Sequence, residues 1–179
     1  HVRIFCRVAW FDGEHDGVSK GDPKLPESFL KSCEIAQKAG ATINVTFWYG
    51  PWTQPEAQMK RAAELINEWI TKRNLTAIKY VTIQNEVNDE ERMPPEKYTL
   101  LYRTFDAELK RLGARDKIKI VSGDLVSNHQ EVWFAHIGKT IGDISDGYSI
   151  HAYWDYWDTE KPLVRLNGPR AIVDALPKD

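Results

Sequence analysis

The feature that most constrains this chain is an alternation of residue patterns, β-like run then helical run, repeated five times. Strand-like runs start about every 30–40 residues, the length of one βα unit. The β-like runs are His1–Trp10, Ala41–Tyr49, Lys79–Val87, Lys117–Ser122 and Gly147–Trp154. They are rich in Val, Ile, Thr and aromatic residues, and turn residues bound them. Between them lie amphipathic helical patterns. Pro26 to Ala39 brings Phe29, Leu30, Cys33 and Ala36 to one side, and Gly40 stops it. Pro55 to Lys72 carries Met59, Ala62, Ala63, Ile66, Trp69 and Ile70 at helical spacing, with Thr53 and Glu56 placed as a capping box. Pro95 to Leu112 aligns Tyr98, Leu101, Tyr102, Phe105 and Leu109, and Gly113 ends it. Asn128 and Glu131 open a helix through Trp133, Ile137 and Ile141, and a last helix is predicted over Gly168 to Leu176.

Such strict alternation predicts an α/β chain whose parallel strands are joined by helical crossovers. A doubly wound open sheet and a (β/α)8 barrel both satisfy it. The dinucleotide-binding version of the first wants G-x-G-x-x-G after a strand, and no such run exists. A full barrel takes about 250 residues, and the 179 residues here hold five units. The barrel reading therefore predicts an incomplete TIM barrel, with residues 1–179 as one partial catalytic unit. The opening run has no charged leader and no cleavage pattern.

Composition narrows the function classes. Hydrophobic residues are 42% and charged residues 28%, the balance of a globular chain. Lys+Arg is 24 against Asp+Glu 26, a net charge of −2, which argues against a nucleic-acid partner bound through phosphate neutralisation. No apolar run reaches the roughly 20 residues of a bilayer span, so no membrane partner is expected. Two cysteines, Cys6 and Cys33, make neither a disulfide scaffold nor a four-cysteine zinc site. There is no H-x-H or H-E-x-x-H, so neither metal nor cofactor is expected.

In barrels the reactive groups lie at the C-terminal ends of strands. Here those positions read Trp48-Tyr49-Gly50-Pro51-Trp52, Gln84-Asn85-Glu86, Ser122-Gly123-Asp124 and His151-Ala152-Tyr153-Trp154. Carboxylates, amides and flat rings dominate; lysines and phosphate-cradling glycine runs are nearly absent. A sugar needs this inventory, an aromatic ring under its CH face and paired donors and acceptors for its hydroxyls. Glu86 is the sharpest signal. A period of two puts Thr82, Gln84 and Glu86 on one face and Val81 and Ile83 on the other, where helices pack. A carboxyl at the mouth of a barrel among aromatics can protonate a leaving glycosidic oxygen and later take a proton from water. Trp48, Trp52, Trp154 and Trp157 divide between sugar platform and packing, with Trp48 and Trp154 favoured as platforms. Asp124 is a candidate sugar ligand.

VTIQNEVN on the third run and YSIHAYW on the fifth resemble the strand-four and strand-six signatures of clan A glycoside hydrolases, the (β/α)8 retaining enzymes that include cellulases, mannanases and xylosidases. The resemblance implies hydrolysis of O-glycosidic bonds in a β-linked oligo- or polysaccharide, over a chain running from about the second strand to the sixth helix. It implies Glu86 as general acid/base, Asn85 as ligand of the sugar 2-hydroxyl, and His151 and Tyr153 near substrate. Arg3 or Arg7 would match an arginine that steadies the nucleophile, and the pattern does not choose between them. The nucleophile of that clan is a second Glu at the end of the seventh barrel strand, expected beyond residue 179. A carbohydrate-binding barrel without turnover is the alternative. Secretion is suggested by the resemblance alone.

Overall fold

The computed structural model describes residues 1–12, 24–48, 52–89, 93–126, 129–151 and 161–175. Five strands alternate with helices: β1 (Val2–Cys6), α1 (Ala9–Asp12), α2 (Leu25–Lys38), β2 (Ile43–Phe47), α3 (Pro55–Thr71), β3 (Ile78–Ile83), α4 (Pro95–Arg111), β4 (Lys119–Leu125), α5 (Gln130–Ile141), β5 (Gly147–Ile150) and α6 (Lys161–Asp174).

The strands form one sheet in the order β1-β2-β3-β4-β5, every neighbour parallel. This order decides between the two topologies left open by the sequence. A doubly wound sheet reverses its strand order at a switch point. Here each strand lies beside its predecessor, so right-handed crossovers put the helices on one face. The sheet is also strongly curled. Arg3 on edge strand β1 and His151, just past edge strand β5, meet with Nη1 and Nε2 2.7 Å apart. In a flat sheet those strands would be about 19 Å apart, four spacings of about 4.8 Å. Sequential parallel strands curled around an axis, with helices outside, make a partial TIM-barrel-like fold.

The outer layer is the core. Ile43, Val45, Phe47, Val81, Ile83 and Ile120 are fully buried, as are Met59, Ala62, Ile66, Leu101, Tyr102, Phe105, Phe134 and Ile137 of the helices. Trp69 of α3 joins them, its ring 4.8 Å from Phe29 of α2 and 6.4 Å from Phe47 of β2. The inner face is polar. Asn44 Nδ2 donates to Thr82 Oγ1 at 3.1 Å across β2 and β3, two residues that point away from the apolar layer. Cys6 and Cys33 are buried free thiols, and burial pushes the Cys33 thiol up to about 12.

Several boundaries differ from the sequence expectation. β1 stops at Cys6 and the Trp10 region turns into helix α1. β3 stops at Ile83, because Gln84 and Glu86 take left-handed φ of 66° and 50°. The period-of-two argument therefore ends before Glu86, which reaches the inner side through a turn and not through the pleat. Helix α3 is capped at Gln54, without a side-chain cap bond from Thr53. There the Gln54 N–H donates forward to Gln58 Oε1 at 3.2 Å. Helix α6 starts at Lys161 and runs through Pro169, so Gly168-Pro169 is no helix start.

Candidate functional site

Backbone bonds hold the C-terminal rim of the sheet together, each joining a residue at or beyond a strand end to the neighbouring strand. Trp48 N–H donates to Cys6 O at 2.8 Å, Gln84 N–H to Phe47 O at 2.8 Å, Glu86 N–H to Asp124 O at 2.9 Å, and His151 N–H to Leu125 O at 2.8 Å. The turns that carry side chains into the site are thus fixed to their neighbours.

On β4 the register against β5 slips by one residue between Gly123 and Leu125. Gly123 sits at φ 110° and Asp124 at 53°. This β-bulge re-aims a side chain, as bulges beside sites do. Leu125 returns to the apolar layer, fully buried, and the extra residue, Asp124, turns inward.

Arg3 is the hub. Its Nε donates to Thr46 Oγ1 at 2.7 Å. Its Nη2 donates to Asn85 Oδ1 at 3.0 Å and also pairs with Asp124 Oδ2, and its Nη1 lies 2.7 Å from His151 Nε2. His151 Nδ1 lies 2.7 Å from Glu86 Oε1. Ser149 Oγ donates to Asp124 Oδ1 at 2.5 Å and accepts from the Asp124 N–H at 2.9 Å. Every described strand or the turn after it contributes to this cluster.

Exposure separates the two carboxylates. The Glu86 side chain is 17% exposed and His151 14%, so both reach the surface of the rim. Asp124 is 2% exposed, with both oxygens accepting bonds within the protein. Burial pushes the Asp124 carboxyl above its ordinary range, and Arg3, Ser149 and His151 pull it back only in part. Asn85, buried, presents Oδ1 to Arg3 and so turns its Nδ2 donors away from it.

A second layer reaches through from α4. Tyr98 OH accepts from Gly123 N–H at 2.8 Å. Tyr102 OH accepts from Ile83 N–H at 3.0 Å and lies 3.1 Å from Ile83 O and 3.0 Å from Val121 O. These phenols stand where β3 and β4 part, and burial raises the titration of both.

Of the residues singled out from the sequence, Glu86, Asn85, Asp124 and His151 come together. Trp48 is half-buried, its ring 5.3 Å from Phe5 with the Arg7 guanidinium over it at 5.3 Å. Arg3 enters the cluster and Arg7 does not. Trp52 is 4% exposed and donates from Nε1 to Gln84 Oε1 at 3.0 Å; a sugar platform needs an open face, so this ring is packing. Tyr153, Trp154 and Trp157 lie outside the described residues. Sequence reasoning missed Thr46, Ser149, Tyr98 and Tyr102. Ser149 had a signal, since it shares the strand face of His151 two residues on. Among the described residues no group of three or more His, Cys, Asp or Glu is placed to hold a metal ion, and no helix is long and apolar enough to cross a membrane.

No protein-family model matches the chain, and no curated protein matches it at a significant level. Among solved structures it is similar to the crystal structure of a glucosidase from Croceicoccus marinus, with a TM-score of 0.64 and 15% identity. The match covers 86% of this chain and 37% of that one. The chain thus spans little more than a third of that neighbour's length, and the likeness is one of fold.

Proposed function

We propose that this chain is part of a retaining glycoside hydrolase acting on a β-linked oligo- or polysaccharide, with Glu86 as general acid/base. The observation that carries the reading is the Glu86 carboxylate, partly open at the C-terminal rim of a curled parallel sheet and hydrogen-bonded to His151. A carboxyl so placed protonates the glycosidic oxygen as the bond breaks and takes a proton from water in the second step. The Asn85 amide, turned by Arg3, offers donors to the sugar 2-hydroxyl. The fold likeness to a glucosidase is in keeping with this chemistry.

Retention needs a second carboxylate about 5–5.5 Å from the first. Asp124 is poorly suited to attack, because it is buried and both oxygens are engaged. Its task is to hold Arg3, and the nucleophile is assigned to a strand outside these residues. The same observation favours, as second reading, a carbohydrate-binding barrel without turnover.

Glu86→Gln in the full-length protein distinguishes the two. For an acid/base, kcat/KM falls by about 10²–10⁴ on glycosides with poor leaving groups, and far less on dinitrophenyl glycosides, which need no protonation. Equal losses on both substrates would remove Glu86 from that role. Oligosaccharide binding without turnover in the wild-type protein would favour the second reading.

A further inference from the structure

We propose that Arg3 is a positioning residue that sets the tautomer of His151, so that His151 holds Glu86 by a donated Nδ1–H bond. The kinetic consequence rests on the proposed role of Glu86; the tautomer itself rests on geometry alone.

A guanidinium has five N–H donors and no acceptor. At 2.7 Å from Arg3 Nη1, His151 Nε2 must therefore present its lone pair. A neutral imidazole carries one N–H, which then sits on Nδ1, 2.7 Å from Glu86 Oε1. The opposite tautomer would set N–H against N–H at Arg3 and a lone pair against the carboxylate at Glu86. Two hydrogen bonds would become two repulsive contacts.

Arg3 cannot turn aside to relieve this. Its Nε is tied to Thr46 on β2, and its Nη2 to Asn85 after β3 and to Asp124 on β4. Asp124 is in turn held by Ser149 and by the bulge. The His151 backbone is anchored too, its amide N–H donating to Leu125 O at 2.8 Å. Thus a donor-only side chain on one edge of the sheet dictates where the proton sits on a ring at the other edge. That ring dictates where a carboxylate oxygen points. The outcome is a Glu86 oriented before substrate arrives, which is where positioned acids gain their rate.

The test is a long-range ¹H–¹⁵N correlation spectrum of full-length protein labelled with ¹⁵N-histidine, with His151→Gln assigning the signal. The expected spectrum shows Nδ1 protonated and Nε2 bare. Arg3→Met should bring in the Nε2–H form and lower kcat at least about tenfold, the worth of one charge-assisted bond or more. Arg3→Lys, whose ammonium likewise only donates, should restore the Nδ1–H form. A wild-type Nε2–H tautomer overturns the proposal even if no Arg3 variant folds, and so does an Arg3→Met spectrum identical to wild type. An Nδ1–H tautomer in a protein whose Glu86→Gln variant turns over normally would leave this proposal standing while the acid/base reading falls.

Discussion

The Glu86 N–H donates to the Asp124 carbonyl oxygen at 2.9 Å, with both residues at left-handed φ. The turn bearing one carboxylate is thereby hung on the bulge bearing the other, through backbone alone. Changes to the Asp124 side chain should therefore spare the position of Glu86 and act through Arg3. Burial is the largest influence on the Asp124 carboxyl and disfavours its charge. Asp124→Asn should accordingly leave the thermal midpoint at pH 7 unchanged or raised, while kcat/KM falls. Asp124→Ala, which strips Arg3 of its ion partner, should cost about 10- to 100-fold, as a charge-assisted hydrogen bond of about 1.5–3 kcal/mol implies. Thermal unfolding beside steady-state kinetics checks both. A clear loss of stability in Asp124→Asn would mean that the ion pair outweighs burial.

The bulge itself depends on Gly123. A Cβ there would overlap the Ser149 carbonyl oxygen and stand 3.1 Å from its nitrogen, at φ 110° where side chains are strained. Backbone cannot step aside as a flexible side chain does. Gly123→Ala should destabilise by about 3 kcal/mol, strain and overlap together. Gly113→Ala is the control. It has φ 65° but open space around it, so it should cost only about 1 kcal/mol. Denaturant midpoints of the two variants give the comparison.

What was legible in the sequence follows from how far each signal reaches. Helical stripes such as Tyr98, Leu101, Tyr102, Phe105 and Leu109 integrate over several turns, and α4 ends within a residue of its expected bound. Strand ends rest on single residues, and left-handed φ at Gln84 and Glu86 leaves no pattern that periodicity can register. Arg3 and Arg7 are four residues apart and would share a face of one continuous strand, so alternation could not separate them; β1 ends at Cys6, and only Arg3 reaches across the curled sheet. Glu86, Asn85, His151 and Asp124 meet in one cluster because strand ends converge on the rim of a curled sheet, a convergence that strand-end positions already pointed to. The tyrosine hydroxyls were missed because their targets, Ile83 and Gly123, depend on how α4 sits against the sheet.

Those hydroxyls carry a prediction of their own. Tyr102 and Tyr98 are fully buried, and their phenols serve backbone groups where β3 and β4 separate. Phenylalanine in either place keeps the ring and removes the partner. Each of Tyr98→Phe and Tyr102→Phe should cost about 1–3 kcal/mol, the penalty of an unsatisfied buried group. Hydrogen exchange sharpens the test: the Gly123 amide should lose protection in Tyr98→Phe and the Ile83 amide in Tyr102→Phe. A loss of protection spread evenly over the sheet in both variants would count against these local roles.

The other end of the sheet contributes to the response to acid. Asp146, just before β5, accepts from Ile120 N–H at 2.8 Å, from Arg115 Nη2 at 2.9 Å and from Lys119 Nζ at 3.1 Å. Arg115 is also tied to Asp106 Oδ1 at 2.6 Å and to the Ile144 carbonyl at 2.8 Å. Burial pushes the Asp146 carboxyl up, but the Ile120 amide, Lys119 and Arg115 outweigh it and hold the group below its ordinary range. A carboxyl lowered in the fold stabilises above its unfolded value of about 3.9, and that stabilisation disappears as pH falls through the folded value. The wild-type thermal midpoint should therefore fall more steeply as pH drops below about 4 than that of Asp146→Asn. At pH 7 the variant should be the less stable of the two. Because Asp146 lies at the N-terminal ends of β4 and β5, away from Glu86 and His151, kcat of the folded variant should match wild type. Parallel pH profiles would show that the network contributes no pH-dependent stability.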